Sequence, residues 1–396
     1  MFVNVIDKHV VHIGYYRMAA VYLDCNATTP IEPRVRDVLL HFLDTDFGNE
    51  GSRTHEYGAR AKVAVQRARD QLAALVGVSR EEVIFTSGAT ESNNMALLGL
   101  AEYGIKENKR HIVTTSIEHK AILEPVDYLR RKGFEVTLVP VSRLGIVRSE
   151  DIRAAIRPDT LLVSVMQVNN ETGAIQPLDE ICHAMQGSEA YLHTDAAQGF
   201  GKVMGPLLNK RIDLISISGH KIYAPKGVGA LIVRRRGSQR IPLAPLMLGG
   251  GQERGIRPGT LPVHLAVALG EAARISAEEY LVRAEKCKTL KEAGIKALTA
   301  VGGIPVGDQD HVLPSTLNVL FPFIDSEALI VKLQGIAAIS NGSACTSSSY
   351  KPSHVLQAMG MNDREATRCV RFSWCHLTPE FDWADVAGCI KSLGVR

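Results

Sequence analysis

A chain of 396 residues is longer than one hydrophobic core usually supports, so two domains are expected. Hydrophobic and charged shares of 45% and 22% are those of a globular protein, and no apolar run approaches the length of a membrane span. A net charge of +3 is too mild to argue for nucleic acid or a membrane surface, so neither is expected as a partner, and seven scattered cysteines fit a reducing, cytoplasmic compartment with free thiols.

Residues 1–17 carry charges, histidines and tyrosines but no apolar h-region, so they read as an N-terminal extension and not as a secretory signal; Met18 reads as an alternative start. Val21–Asp24 reads as a short strand, followed by the capping turn Cys25 to Pro30. Ala59 to Val76 has Val65, Ala68, Leu72 and Leu75 on one stripe, which predicts an amphipathic helix. Seven short apolar strands are then expected at Val83–Phe85, His111–Thr115, Glu135–Val141, Leu161–Val168, Ala190–Thr194, Leu214–Ser218 and Gly229–Arg234. Helices are expected between them, at Asn93–Tyr103, Lys120–Lys132 and Leu178–Met185. Strands that are apolar nearly throughout, such as Leu161–Val168, bury both faces. The fold class is therefore α/β, a mostly parallel seven-stranded sheet between helices. Leu261 to Arg283 reads as one long connecting helix. Beyond it the pattern turns α+β, with strands at Thr316–Leu320, Ala337–Ser340 and Cys369–Trp374 and helices at Ser326–Leu333, Ser353–Met359 and up to Leu393. This divides the chain into a large domain, 31–264, and a smaller α+β domain, 18–30 with 265–396.

The chemistry gathers where strands should end. Asp195 and Gln198 follow one apolar strand, and Ser218, His220 and Lys221 follow another. In an open α/β sheet ligands sit beyond the carboxyl ends of strands. A lysine amine there, with an aspartate nearby, suits pyridoxal 5′-phosphate (PLP). The lysine forms a Schiff base with the cofactor aldehyde, and the aspartate keeps the pyridine nitrogen protonated. For either residue alone, a loop lysine or a capping aspartate is the simpler explanation.

Thr86-Ser87-Gly88-Ala89-Thr90-Glu91-Ser92 follows a strand and opens a helix, the makings of a phosphate cradle or of an ordinary capped helix. It matches neither the Walker nor the dinucleotide glycine pattern. His119 falls on the same sheet edge, where it could stack on a pyridine ring or simply cap a helix; Asn170 sits in a similar turn. Cys345 lies in a small, polar stretch, Ser340 to Ser349, that offers no apolar core, so it reads as an exposed nucleophile. Arg371, between apolar neighbours in a strand, needs an anion: a substrate carboxylate or a structural salt bridge. No cysteine pair has zinc spacing, and no metal site is expected.

Together these motifs resemble the NifS/IscS-type cysteine desulfurases, in the class V group of fold-type I PLP enzymes. The resemblance runs from Val21 to about Ser373 and rests on Leu-Asp-Cys-Asn-Ala-Thr-Thr-Pro (23–30), Thr-Ser-Gly-Ala-Thr-Glu-Ser (86–92), Glu-His-Lys (118–120), Val-Asn-Asn-Glu-Thr-Gly (168–173), Asp-Ala-Ala-Gln (195–198), Ser-Gly-His-Lys (218–221), Gly-Gly-Gly-Gln-Glu-Arg-Gly-Ile-Arg-Pro-Gly-Thr (249–260), Gly-Ser-Ala-Cys-Thr-Ser (342–347) and Arg-Phe-Ser (371–373). It implies that Lys221 carries PLP, Asp195 pairs with the pyridinium nitrogen and His119 stacks on the ring. Asn170 and Gln198 would lie near the ring hydroxyl, and Ala89, Thr90, Ser218 and His220 would bind phosphate. Thr260 would reach the cofactor of the partner subunit in a homodimer. Arg371, with Asn170, would hold the carboxylate of L-cysteine.

The implied reaction yields L-alanine and leaves sulfur as a persulfide on Cys345, for transfer to an acceptor protein. Iron–sulfur supply and the DndA-type route to DNA phosphorothioation both stay open. Selenocysteine lysis or another class V PLP reaction is the alternative. The chain departs from the family pattern at Asn341, at Trp374-Cys375 and at Pro258.

Overall fold

The computed structural model describes residues 20–342 and 352–393. Its twelve strands, among the described residues, are β1 (Val21–Tyr22), β2 (Val83–Thr86), β3 (His111–Thr115), β4 (Glu135–Val139), β5 (Thr160–Ser164), β6 (Tyr191–Asp195), β7 (Leu214–Ser218), β8 (Gly229–Val233), β9 (Ile304–Pro305), β10 (Thr316–Leu320), β11 (Ala337–Ala338) and β12 (Cys369–Ser373).

Alternate residues of the apolar strands feed different cores, which is why they are apolar on both faces. Leu162, Leu214 and Leu231 pack with Ile84, Leu97 and Ile122. Their neighbours Val163, Ile215 and Ile232 pack with Val65, Leu72 and Leu269. Seven strands join in the order β2-β8-β7-β6-β5-β3-β4. Only β8 runs against its neighbours; β7, β6, β5, β3 and β4 pair in parallel. The sheet is the mostly parallel one the sequence predicts. On one face, helix Glu56–Val76 crosses helix Val263–Thr299. Gly270 permits that approach, because a Cβ there would sit 2.5 Å from Ala68 Cα.

A smaller antiparallel sheet, β12-β10-β9, and the parallel pair β1-β11 complete the fold. Their core is aromatic: Phe372, Trp374 and Trp383 pack edge to face. Both indoles donate to carbonyls of the long helix, Trp374 Nε1 to Cys287 at 3.0 Å and Trp383 Nε1 to Leu290 at 3.0 Å.

The structure revises several boundaries. The long helix continues past Arg283 to Thr299. The single helix expected at Asn93–Tyr103 is two, Ala89–Leu98 and Ala101–Lys106. Between them the Gly99 carbonyl is taken by the amide of Ala244 at 2.8 Å, so it is not part of a continuous helical ladder. Strand β5 ends at Ser164. The chain beyond still donates to β6, Val165 N to His193 O and Gln167 N to Asp195 O, before turning away at Asn169. A helix that the apolar periodicity did not reveal spans Pro33–Asp44.

Candidate active site

The strand directions bring the carboxyl ends of β2, β3, β5, β6 and β7 to one edge of the sheet, where β8 begins. The residues that follow those ends line a cleft of ≈ 430 Å³. Lys221, Asp195, His119, Asn170, Gln198, Ala89, Thr90, Ser218, His220 and Arg371 all face it. Thr260 does not: it lies exposed on the loop after β8. That loop is pinned to β2 through Glu253, which accepts from Phe85 N at 2.7 Å and Arg69 Nη1 at 2.8 Å. Cys345 lies outside the described residues.

Lys221 follows β7 in a single helical turn, Gly219–Lys221. Its Nζ donates to the carbonyls of Asn26 and, at 2.7 Å, Ala27. These belong to the Cys25–Pro30 turn, which is fixed in turn by Gln198 Nε2 to Asn26 O at 2.9 Å and Ser373 Oγ accepting from Asn26 N at 2.9 Å. Asp195 ends β6. Its Oδ1 accepts from Ala197 N at 2.9 Å and its Oδ2 from Asn93 Nδ2 at 2.7 Å. The carboxylate therefore points into the cleft already oriented.

His119 caps helix Lys120–Arg131. Its Nδ1 accepts from Ala121 N at 3.1 Å, so in the neutral ring the proton sits on Nε2. Burial pushes this imidazole below its ordinary range, with Lys221 acting in the same direction. His220, beside Thr28 Oγ1 at 3.1 Å, is pushed down to about 4 by burial and by the neighbouring Lys221. Both rings are neutral near pH 7. Arg371 is already paired: Nη2 to Asp24 Oδ1 at 2.6 Å and Nη1 to Asn170 O at 2.7 Å. Of the two anions the sequence allows it, the structure supplies the protein's own. Its Nε is buried with no partner.

Asn93 and Asn26 were not singled out by the sequence, which shows them as ordinary helix and turn residues. The available signal for Asn93 was its position one helical turn past Ala89, on the helix whose first amides face the cleft. The β2 end approaches β8 through two glycines. A Cβ on Gly229 would lie 2.6 Å from Gly88 Cα, so only glycine lets the cradle close on the sheet.

Residues 21–382 match the model of the aminotransferase class-V family. The chain belongs to the class-V aminotransferases, in their NifS/IscS-type cysteine desulfurase branch. It is 46% identical over 365 residues to the protein named cysteine desulfurase IscS of Escherichia coli O139:H28, covering 91% of this chain and 89% of that one. The solved structure of DndA from Streptomyces lividans is 50% identical, with a TM-score of 0.79, over 88% of this chain and 98% of that one. A structure described as SspA in complex with cysteine is 35% identical, with a TM-score of 0.79, over 92% and 100% of the two chains.

Class-V aminotransferases use PLP, and the cleft fits that cofactor on its own chemistry. An amine and a carboxylate pre-set by Asn93 face one cavity, and the free amides of Ala89 and its neighbours open toward the same space. Asn93 Oδ1 and Gln198 Oε1 are buried there without protein partners, as groups awaiting a ligand would be.

Proposed function

We propose that this chain is a PLP-dependent cysteine desulfurase: it converts L-cysteine to L-alanine and passes the sulfur, held as a persulfide on Cys345, to an acceptor protein. The observation that carries the reading is the convergence of Lys221, the Asn93-oriented Asp195, neutral His119 and Arg371 on one cleft. When bound, PLP supplies an aldehyde that captures an amine and a ring that draws electron density from the substrate's α-carbon.

In this reading the protein's own groups do the following. Lys221 would hold the cofactor and, when its amine is free, would take the substrate's α-proton on Nζ. Asp195 keeps a proton on the pyridine nitrogen, which its fixed carboxylate favours. His119 would lie against the ring and, being neutral with Nε2 protonated and Nδ1 already accepting from Ala121 N, would donate there through Nε2. The amides of Ala89 and Thr90, with Ser218 and His220, would hold the phosphate, and Gln198 and Asn170 would meet the ring hydroxyl. Arg371 takes the substrate carboxylate while keeping Asp24. The Cys345 thiolate attacks the substrate sulfur: a new S–S bond forms, the Cβ–S bond breaks, and its electron pair stays on the three-carbon fragment, which gains protons and leaves as alanine.

A homodimer is part of the proposal, because Thr260 has no part in the cleft of its own subunit and would serve a second one. So is a cytoplasmic site of action; among the described residues no helix is long and apolar enough to cross a membrane. The acceptor is a protein thiol, and the identities to IscS and to DndA support iron–sulfur supply and DNA phosphorothioation as its two destinations.

The test is direct. Purified protein should be yellow, and borohydride should fix the cofactor irreversibly on the peptide containing Lys221. Lys221→Ala should stay folded but carry no covalent cofactor. A protein that takes up no PLP, or fixes it on another lysine, would overturn the proposal.

A further inference from the structure

Behind the turn that supports Lys221 lies a pair of thiols with no part in the reaction above. Cys25 and Cys375 are 3% and 1% exposed and pack against each other beneath the Tyr223 ring. Their backbones are held together by the sheet: Cys25 N donates to Ser373 O at 3.0 Å, two residues before Cys375. Hydrogen bonding between the neighbouring thiols pushes Cys375 down and Cys25 up from the ordinary thiol range. Further donors favour a thiolate at Cys375, with Thr378 Oγ1 at 3.9 Å from its sulfur and the Leu377 amide nearby. The ammonium of Lys202 faces the same pair. Tyr223 and Lys202 also border a cavity of ≈ 30 Å³, room for about one water-sized molecule.

We propose that Cys25 and Cys375 are a dithiol modification site, which a small two-electron oxidant of the hydroperoxide class converts to an intramolecular disulfide. The Cys375 thiolate attacks the peroxide, forming an S–O bond as the O–O bond breaks and hydroxide leaves to become water. Cys25 then attacks the resulting sulfenic sulfur, forming the S–S bond, and its proton leaves with the displaced hydroxide as a second water. Both thiols are oxidised by one electron each and one peroxide is reduced, so the step balances.

The bond would tie two parts of the cleft together. Cys25 precedes Asn26 and Ala27, whose carbonyls receive Lys221 Nζ. Cys375 follows β12, which carries Arg371. Oxidation therefore stiffens the turn under the lysine against the strand that holds the arginine.

The experiment uses the PLP-loaded protein carrying Cys345→Ser, so that the nucleophile of the reaction cannot contribute. After brief hydrogen peroxide treatment and alkylation, a non-reducing digest should yield one linked peptide pair containing Cys25 and Cys375, two hydrogens lighter than the thiols and separated by dithiothreitol. In the same sample, amide exchange across residues 24–29 should slow. With Cys25→Ala added, Cys375 should be trapped as a sulfenic acid by dimedone. Recovery of Cys25 and Cys375 as free thiols, or each as a separate sulfinic acid, would overturn the proposed site. Unchanged exchange in a protein that did form the disulfide would overturn the coupling to the turn.

Discussion

The guanidinium of Arg371 lies 2.6 Å from the carboxylate of Asp24, across the junction between β12 and the turn that follows β1. Arg371 is 3% exposed, so this pair neutralises a charge that burial would otherwise make costly. In the proposed reaction Arg371 would take the substrate carboxylate while keeping Asp24 and the Asn170 carbonyl, a task for the five donors of a planar fork.

Arg371→Lys is expected to raise KM for L-cysteine by roughly 10- to 100-fold, with a smaller effect on kcat. A lysine ammonium cannot hold three oxygens in those directions, and a charge-assisted hydrogen bond is worth about 1.5–3 kcal/mol. Steady-state kinetics decide this. An unchanged KM would remove Arg371 from the substrate site and leave it a structural partner of Asp24.

Asn93 matters through Asp195. Its Nδ2 is 2.7 Å from Oδ2 of that carboxylate, and without it only the Ala197 amide would fix the orientation. Asn93→Ala should weaken PLP binding by about 1.5–3 kcal/mol, roughly 10- to 150-fold, as for a lost buried hydrogen bond to a charged group. Titration of apo-protein with PLP, followed by absorbance, measures it. An unaltered dissociation constant would show that Asp195 needs no such support.

Two buried groups give the stability opposite pH dependences. Glu118, which accepts from Thr115 Oγ1 and Met166 N, is pushed by burial from 4.5 up to about 8. Its contribution is complete below the unfolded value and is lost as pH rises toward 8, because the unfolded chain releases the proton first. His193, between Ser164 Oγ and Ser216 Oγ, is held by burial down to about 3. The unfolded chain takes up that proton first, so stability falls as pH drops below 6.5. Glu118→Gln mimics the neutral acid, so its Tm advantage over the parent should grow from about pH 5 to about pH 8. A constant difference across that range would contradict a protonated Glu118.

The sheet was legible because strands such as β5 and β3 are apolar or β-branched at nearly every position, a pattern that only a strand buried on both faces needs. That β8 runs against its neighbours was not legible, since strand direction is decided by long-range pairing and leaves no local mark. The far end of helix Val263–Thr299 did not show in the sequence because its stripe fades beyond Arg283 into residues such as Glu285, Lys286 and Lys288. Lys221, Asp195 and His119 announced themselves as polar residues at strand ends. Asn93 did not, because its role depends on which strand end its helix packs beside. For Arg371 the sequence required an anion, and the fold decided that Asp24 is one.

The most direct measurement of the central claim follows both products of one reaction. PLP-loaded protein given L-cysteine without reductant should release alanine, and the peptide containing Cys345 should become one sulfur atom heavier in step with it. Cys345→Ser should still bind L-cysteine, seen as a shift of the cofactor absorbance, but release almost no alanine and gain no sulfur. Alanine formed by that variant at the parent's rate would contradict the account, leaving a lyase that expels sulfur without a protein acceptor.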